Sequence, residues 1–91
     1  MTKEEIKEKL GLSWIDDFQE NRARVVKDDD KKGHVDRNGN ITTPIIYNDV
    51  GSFHESRAEV EIGRYKIFID KNGFPVERDD LVDLFRGIFN D

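Results

Sequence analysis

The apolar positions of the first ten residues follow a helical spacing. Ile6 and Leu10 lie four residues apart, so they share one face of a helix. Thr2 and Glu5 have the three-residue spacing of a capping box, which satisfies backbone donors at a helix start. The pattern therefore predicts a short helix over residues 3–10.

The C-terminal residues carry a second helical pattern. Asp79 or Asp80 can cap it, and its apolar residues recur three and four positions apart. They are Leu81, Leu84, Phe85, Ile88 and Phe89. We expect a helix over about residues 80–89, whose apolar stripe either packs on the rest of the domain or docks a partner.

Between these segments the period changes to two, which is typical of half-buried strands. Ala58, Val60 and Ile62 alternate with glutamates, and a Gly-Arg pair then supplies a turn. The returning segment ends at Asn72-Gly73, a pair that tolerates the positive φ angles of a tight reversal. This region is predicted to be a β-hairpin.

The hairpin occurs twice. A shift of 35 residues superposes Phe18 on Phe53, Glu20 on Glu55, Arg22 on Arg57, Ala23 on Ala58 and Val25 on Val60. The same shift places Leu12 on Tyr47 and Ile15 on Val50. After a one-residue deletion in the first loop, the shift is 34, and Lys32, Asp36, Asn38 and Gly39 fall on Lys66, Asp70, Asn72 and Gly73.

These patterns predict one α+β domain over residues 1–91. Two repeat units, at about 12–40 and 47–74, are expected to form antiparallel β-hairpins in one small twisted sheet, flanked by the N-terminal and C-terminal helices. Because one hairpin cannot bury its apolar face alone, we expect stacked units with the helices as caps, or else self-association into a homodimer.

Residues 35–73 resemble the bacterial WG-containing repeat. The matching positions, in order, are Asp36, Gly39, Pro44, Tyr47, Phe53, Glu55, Ala58, Val60, Ile69, Asp70 and Gly73. The resemblance extends over roughly residues 12–76. It implies repeated antiparallel hairpins and a role in protein interaction, with no catalytic residues to transfer.

The chain departs from the family pattern at two places. The Trp-Gly dipeptide is replaced by Lys32-Gly33 in the first copy and by Lys66-Ile67 in the second. The glycine of the Phe-x-Glu-Gly element is replaced by Asn21 and Ser56. Both copies are therefore divergent.

Composition limits the functional classes. The net charge of −5 opposes nucleic acid, so direct DNA or RNA binding is not expected. The chain has no cysteine and no long apolar run, and its first residues lack the pattern of a secretory signal. We expect a cytoplasmic protein that does not enter a membrane.

No motif predicts a metal site or a cofactor. An EF-hand loop needs oxygen ligands at fixed positions and a glycine at the sixth. A loop started at Asp28 places Lys32 at a ligand position, one started at Asp36 lacks the glycine, and one started at Asp70 puts Phe74 at a ligand position. The two Asp-x-Asn-Gly segments are therefore predicted to be hairpin turns.

The ionisable residues do not predict an enzyme. His34 and His54 lie in different copies, and neither belongs to a nucleophile motif or a histidine pair at metal-ligand spacing. Both are expected on the surface or in packing. Glu59 and Glu61 are expected on the polar face of a strand, where solvated acids are common.

The favoured function is non-catalytic binding of a protein. The candidate interface residues are Trp14, Tyr47, Glu59, Glu61, Phe85 and Phe89, with the aromatic residues as anchors and the glutamates steering a basic partner. The alternative is a small acidic inhibitor, of the phage or mobile-element type, that blocks a nucleic-acid-binding surface of another protein. The run Asp28-Asp29-Asp30 favours the inhibitor, whereas the repeat favours the adaptor.

Overall fold

A computed structural model describes residues 1–76. The chain begins with helix α1, Lys3–Leu10, as predicted. The Thr2 hydroxyl accepts from the Glu5 amide and the Glu5 carboxylate accepts from the Thr2 amide, which completes the capping box. Gly11 ends the helix in the left-handed conformation, with φ of 64°.

The first repeat forms an antiparallel four-stranded sheet. Its strands lie in sequence order, so each one pairs with the next along the chain. They are β1 (Trp14–Ile15), β2 (Ala23–Val26), β3 (Lys32–Val35) and β4 (Ile41–Tyr47). The pairing of β3 with β4 is irregular on both sides of His34, so β4 bulges past Gly33.

The second repeat forms a separate antiparallel sheet of three strands, also in sequence order. They are β5 (Asp49–Val50), β6 (Arg57–Ile62) and β7 (Tyr65–Asp70). Strands β6 and β7 pair without interruption from Arg57 opposite Asp70 to Ile62 opposite Tyr65. The predicted hairpin is confirmed, although Ile62 is exposed rather than buried.

Each repeat has its own apolar core. The first cluster of buried residues is Ile6, Leu12, Ile15, Ala23, Val25 and Val35, and the second is Val50, Phe53, Ala58, Val60, Ile67 and Ile69. Most positions of the first cluster correspond to positions of the second cluster under the shift of 34 or 35 residues between the repeats. Ile6 has no counterpart in the second cluster, because α1 supplies this fully buried side chain to the first core and thereby covers it.

The two Asp-x-Asn-Gly segments are hairpin turns with the same bonds. The Asp36 carboxylate accepts from the amides of Asn38 and Asn40, each at 2.9 Å. The Asp70 carboxylate accepts from the amides of Asn72 and Phe74, at 2.9 and 3.0 Å. Each aspartate therefore folds its own turn, as is usual for Asx turns.

The loops between the first two strands of each repeat also match. Glu20 and Asn21 have φ of 53° and 63°, and Glu55 and Ser56 have φ of 52° and 66°. Two successive positive φ angles define a type I′ turn, which suits the twist of a hairpin. The left-handed conformation explains why the family pattern has glycine where this chain has Asn21 and Ser56.

The predicted fold class needs correction. The described chain is mainly β with one short N-terminal helix, and the strands form two sheets rather than one. The division occurs at Asn48, between β4 and β5, where the chain leaves the first sheet and its amide donates to Glu61 of the second. The predicted helix at about 80–89, with Phe85 and Phe89, lies outside the described residues.

Candidate protein-interaction surface

A row of directly paired residues crosses the first sheet. Trp14 pairs with Val26, Val26 with Lys32, and Lys32 with Tyr47. Directly paired residues of antiparallel strands point to the same face. We call these four residues the outer row; three strand spacings separate its ends by roughly 14 Å.

The outer row lies on the face opposite the first core. The neighbouring row, Ile15, Val25 and Gly33, points inward and is buried. Side chains alternate between faces along a strand, so the adjacent residues of the outer row point away from this core. The row thus joins two aromatic residues that are far apart in the sequence.

Trp14 is the most exposed member of the row. The residue is 59% exposed, which leaves a large apolar area in contact with water. Trp14 also lines a groove between α1 and β1, together with Lys3, Lys7 and Asp16. An exposed tryptophan beside a groove is typical of an interface anchor.

Tyr47 forms the other end of the row and is half-buried. It packs against the second core, and burial raises the pKa of its hydroxyl. Contact with the second core therefore restrains the Tyr47 ring. A pre-organised aromatic side chain loses little conformational entropy when a partner covers it.

Lys32 occupies the middle of the row and is held in place. Its ammonium group donates to the backbone carbonyls of Asp30 and Asn48, each at 3.1 Å. In the row, Lys32 lies between Val26 and Tyr47. The row combines apolar surface with a fixed positive charge.

The row includes two residues that sequence reasoning missed, Val26 and Lys32. The missed signal was positional: Lys32 stands where the family pattern has its tryptophan, directly before Gly33. Only the register shows that this position lies between Trp14 and Tyr47.

Glu59 and Glu61 lie on β6 of the second sheet and are not members of the outer row, although the Glu61 carbonyl accepts from the amide of Asn48, the residue after Tyr47. Glu59 is exposed, and its Cα partner is Phe68. Glu61 is half-buried, and its carboxylate oxygen Oε2 lies 3.9 Å from the Lys66 ammonium nitrogen. The two glutamates are therefore a separate acidic feature. Phe85 and Phe89, the remaining sequence candidates, lie outside the described residues.

The other end of the outer face of the first sheet is covered by the second repeat. His34, which is fully buried, bonds through Nε2 to the Gly51 carbonyl at 2.7 Å and through Nδ1 to the Thr43 hydroxyl at 2.9 Å. A carbonyl only accepts, so Nε2 carries the proton and Nδ1 accepts from Thr43. The His34 ring also contacts Phe53, at 4.6 Å between centroids.

Burial lowers the pKa of His34 to about 4. The charges of Arg24 and Arg22 lower the pKa further, whereas the bond to the Gly51 carbonyl opposes the shift. The imidazole is therefore neutral at physiological pH, and both nitrogens serve the junction of the repeats. His54, in contrast, is exposed beside Glu55.

Two arginines strengthen the same junction. Arg22 donates through Nε to the Lys71 carbonyl at 2.9 Å, and Arg24 donates through Nη1 to the Val50 carbonyl at 3.3 Å. Arg24 also bonds to the Asp16 carboxylate, which lowers the pKa of Asp16. The first repeat thus binds backbone groups of the second.

The acidic run forms the loop between β2 and β3. The Asp29 carboxylate accepts from the Lys31 amide at 3.0 Å, and the Asp30 carboxylate lies 3.7 Å from the Lys32 ammonium. Within residues 1–76, no group of three His, Cys, Asp or Glu side chains is arranged to hold a metal ion. The same part of the chain has no helix of the length and apolarity that crossing a membrane requires.

This geometry defines a repeat-type β module. Residues 33–65 match the family model described as WG containing repeat. The resemblance predicted from the sequence is confirmed over these residues. No curated protein and no solved structure gave a match.

Proposed function

We propose that the protein is a non-catalytic binding module that docks another protein on the outer row. The observation that carries this proposal is the alignment of Trp14, Val26, Lys32 and Tyr47 on one face. Interfaces are enriched in aromatic residues, and tryptophan and tyrosine are frequent among the residues that contribute most to binding. The proposal places the domain in the cytosol, with neither nucleic acid nor a membrane as its ligand.

The row favours a partner that lies flat across four strands. Trp14 supplies the exposed anchor, Tyr47 a rigid second contact, and Lys32 a positive charge for a carboxylate or carbonyl of the partner. Glu59 and Glu61 lie on the other sheet, where they bias the approach of a partner with a basic flank rather than form the central contact.

Photo-crosslinking tests this assignment. A photoreactive phenylalanine derivative replaces Trp14 in one variant and Phe74 in a matched control, since Phe74 is an aromatic residue that is 66% exposed and lies outside the row. We expect one defined adduct from position 14 in cells and none from position 74. Equal adducts from both positions, or none from position 14, would contradict the proposal.

Salt dependence separates this proposal from the acidic inhibitor. A partner bound through an apolar row loses little affinity as salt rises, whereas a carboxylate-rich mimic of nucleic acid loses affinity steeply. Binding of the crosslinked partner is therefore measured at low and high salt. A steep loss that is reproduced by Glu59→Gln with Glu61→Gln, and not by Trp14→Ala, would favour the inhibitor.

A further inference from the structure

The second repeat has residues equivalent to those that the first repeat uses at the junction. Through the repeat, Glu20 corresponds to Glu55, Arg22 to Arg57, Arg24 to Glu59 and His34 to Phe68. We call Glu55, Arg57, Glu59 and Phe68 the end face. All four line one concave surface, together with Gly51, Ser52, His54 and Ala58.

The corresponding residues of the first repeat show how such a face is used. The Glu20 carboxylate accepts from the Ser56 amide at 2.8 Å, and Arg22 donates to the Lys71 carbonyl. Glu55 and Arg57 keep these residue types, one acceptor and one donor for another backbone. The end face therefore retains the chemistry of a surface that docks polypeptide.

At the opposite end, the chain covers the first repeat with its own N-terminal segment. The Arg37 carbonyl corresponds to that of Lys71, and it accepts from the Met1 amino group at 3.3 Å. A Cβ at Gly39 would lie 3.2 Å from the Met1 sulfur, so the segment packs closely on this turn. Helix α1 also inserts Ile6 into the first core.

We propose that residues 77–91 of the same chain dock on the end face. The Val76 amide donates to the Phe68 carbonyl at 2.9 Å, so the described chain stops beside the strand that carries this face. Even at 1.5 Å per residue, the remaining fifteen residues reach roughly 22 Å, more than the width of a three-stranded sheet.

The sequence of this segment suits an apolar part of the end face. Its apolar residues are Leu81, Val82, Leu84, Phe85, Ile88 and Phe89. Phe68 is half-buried and supplies an aromatic surface where the first repeat has His34. Asp83, which lies between the apolar residues, supplies a carboxylate acceptor for Arg57. Docking in this way closes the stack after two repeats and leaves the outer row as the surface for partners.

Paramagnetic relaxation measures this contact directly. The chain has no cysteine, so Arg86→Cys introduces one attachment site for a nitroxide on the segment, outside its apolar residues. We expect strong loss of amide peak intensity at residues 54–59 and 66–68, with little loss in α1. A nitroxide at exposed Glu8 (Glu8→Cys) is the matched control. We expect it to reduce the amide intensities of α1 strongly and those of the end face little.

Two further samples identify the occupant. In the first, Phe85→Asp and Phe89→Asp accompany the nitroxide, and the intensity at the end face should recover while the α1 peaks show that the repeats remain folded. In the second, nitroxide-labelled chains without ¹⁵N are mixed with ¹⁵N chains, and we expect no intensity loss. Loss in this mixture would mean that a second copy occupies the face. Uniform weak loss along the chain, or loss centred on the outer row, would also overturn the proposal.

Discussion

The imidazole of His34 donates to the backbone carbonyl of Gly51 at 2.7 Å, across the junction of the two repeats. The bond joins β3 of the first repeat to the residue that follows β5 in the second. Because His34 is fully buried, its protonation state determines whether the junction is satisfied. A charged ring would add a donor at Nδ1, where the Thr43 hydroxyl now donates.

Stability should therefore fall as the pH falls through the range between the unfolded and folded pKa values of His34. The folded pKa is about 4 and the ordinary value is 6.5, so the unfolded chain binds the proton first. The stabilisation is complete above pH 6.5 and is lost towards pH 4. We expect a loss of roughly 3 kcal/mol in the free energy of unfolding, measured by urea titration across this range.

Two glutamine variants test the assignment of this pH dependence. His34→Gln keeps a donor for Gly51 and an acceptor for Thr43 but does not titrate, so its stability should be nearly flat over the same range. His54→Gln, at an exposed histidine, should behave like the wild type. Asp16 and Asp36 have lowered pKa values and contribute their own loss only at lower pH. A steep profile in His34→Gln would reject the assignment.

Gly33→Ala should destabilise the domain by steric conflict alone. A Cβ at this position would lie 2.5 Å from the Thr43 carbonyl oxygen and 2.8 Å from that of Pro44. Both atoms belong to the backbone of β4, which cannot yield cheaply, so we expect a loss of about 2 kcal/mol or more in chemical denaturation.

Gly11→Ala is the matched comparison for this variant. Gly11 has φ of 64°, but a Cβ there would meet nothing within 4 Å. Its substitution should lower the free energy of unfolding by roughly 1 kcal/mol, the cost of holding alanine in the left-handed conformation. If Gly33→Ala proved no more destabilising than Gly11→Ala, this would contradict the explanation that β4 passes too close to Gly33 to admit a Cβ.

Ser56→Gly should stabilise the domain. Ser56 holds φ of 66°, which glycine adopts without strain, so we expect a gain of about 1 kcal/mol in the free energy of unfolding. Asn21→Gly should increase stability by less, because it also removes the hydrogen bond that the Asn21 side chain accepts from Arg37 Nε at 2.8 Å. Ser52→Gly, at a residue with negative φ, should not stabilise, and a gain there would contradict the explanation.

The local elements of the fold could be predicted from the sequence because local chemistry determines them. Thr2 with Glu5 specifies the start of α1, and Asp36 and Asp70 each fold a turn from bonds to nearby amides. The repeat was visible for the same reason, since equivalent turns need equivalent residues.

The division into two sheets could not be predicted, because it depends on contacts distant in sequence. The alternation at residues 58–62 is the same whether β6 joins the first sheet or begins another. The role of His34 could not be predicted either, because its partner is the backbone carbonyl of Gly51, a group that every residue type carries. Trp14 and Tyr47 could be chosen as aromatic interface candidates, but their common row follows only from the register of three strand pairs.

The affinity of the crosslinked partner for Trp14→Ala, compared with Phe74→Ala, tests the central claim most directly. Both variants remove an exposed aromatic ring, and only Trp14 belongs to the outer row. We predict that Trp14→Ala raises the Kd by about tenfold or more, as for an interface hot spot, whereas Phe74→Ala leaves the Kd unchanged. A folded Trp14→Ala protein that binds with wild-type affinity would contradict the outer row as the binding surface.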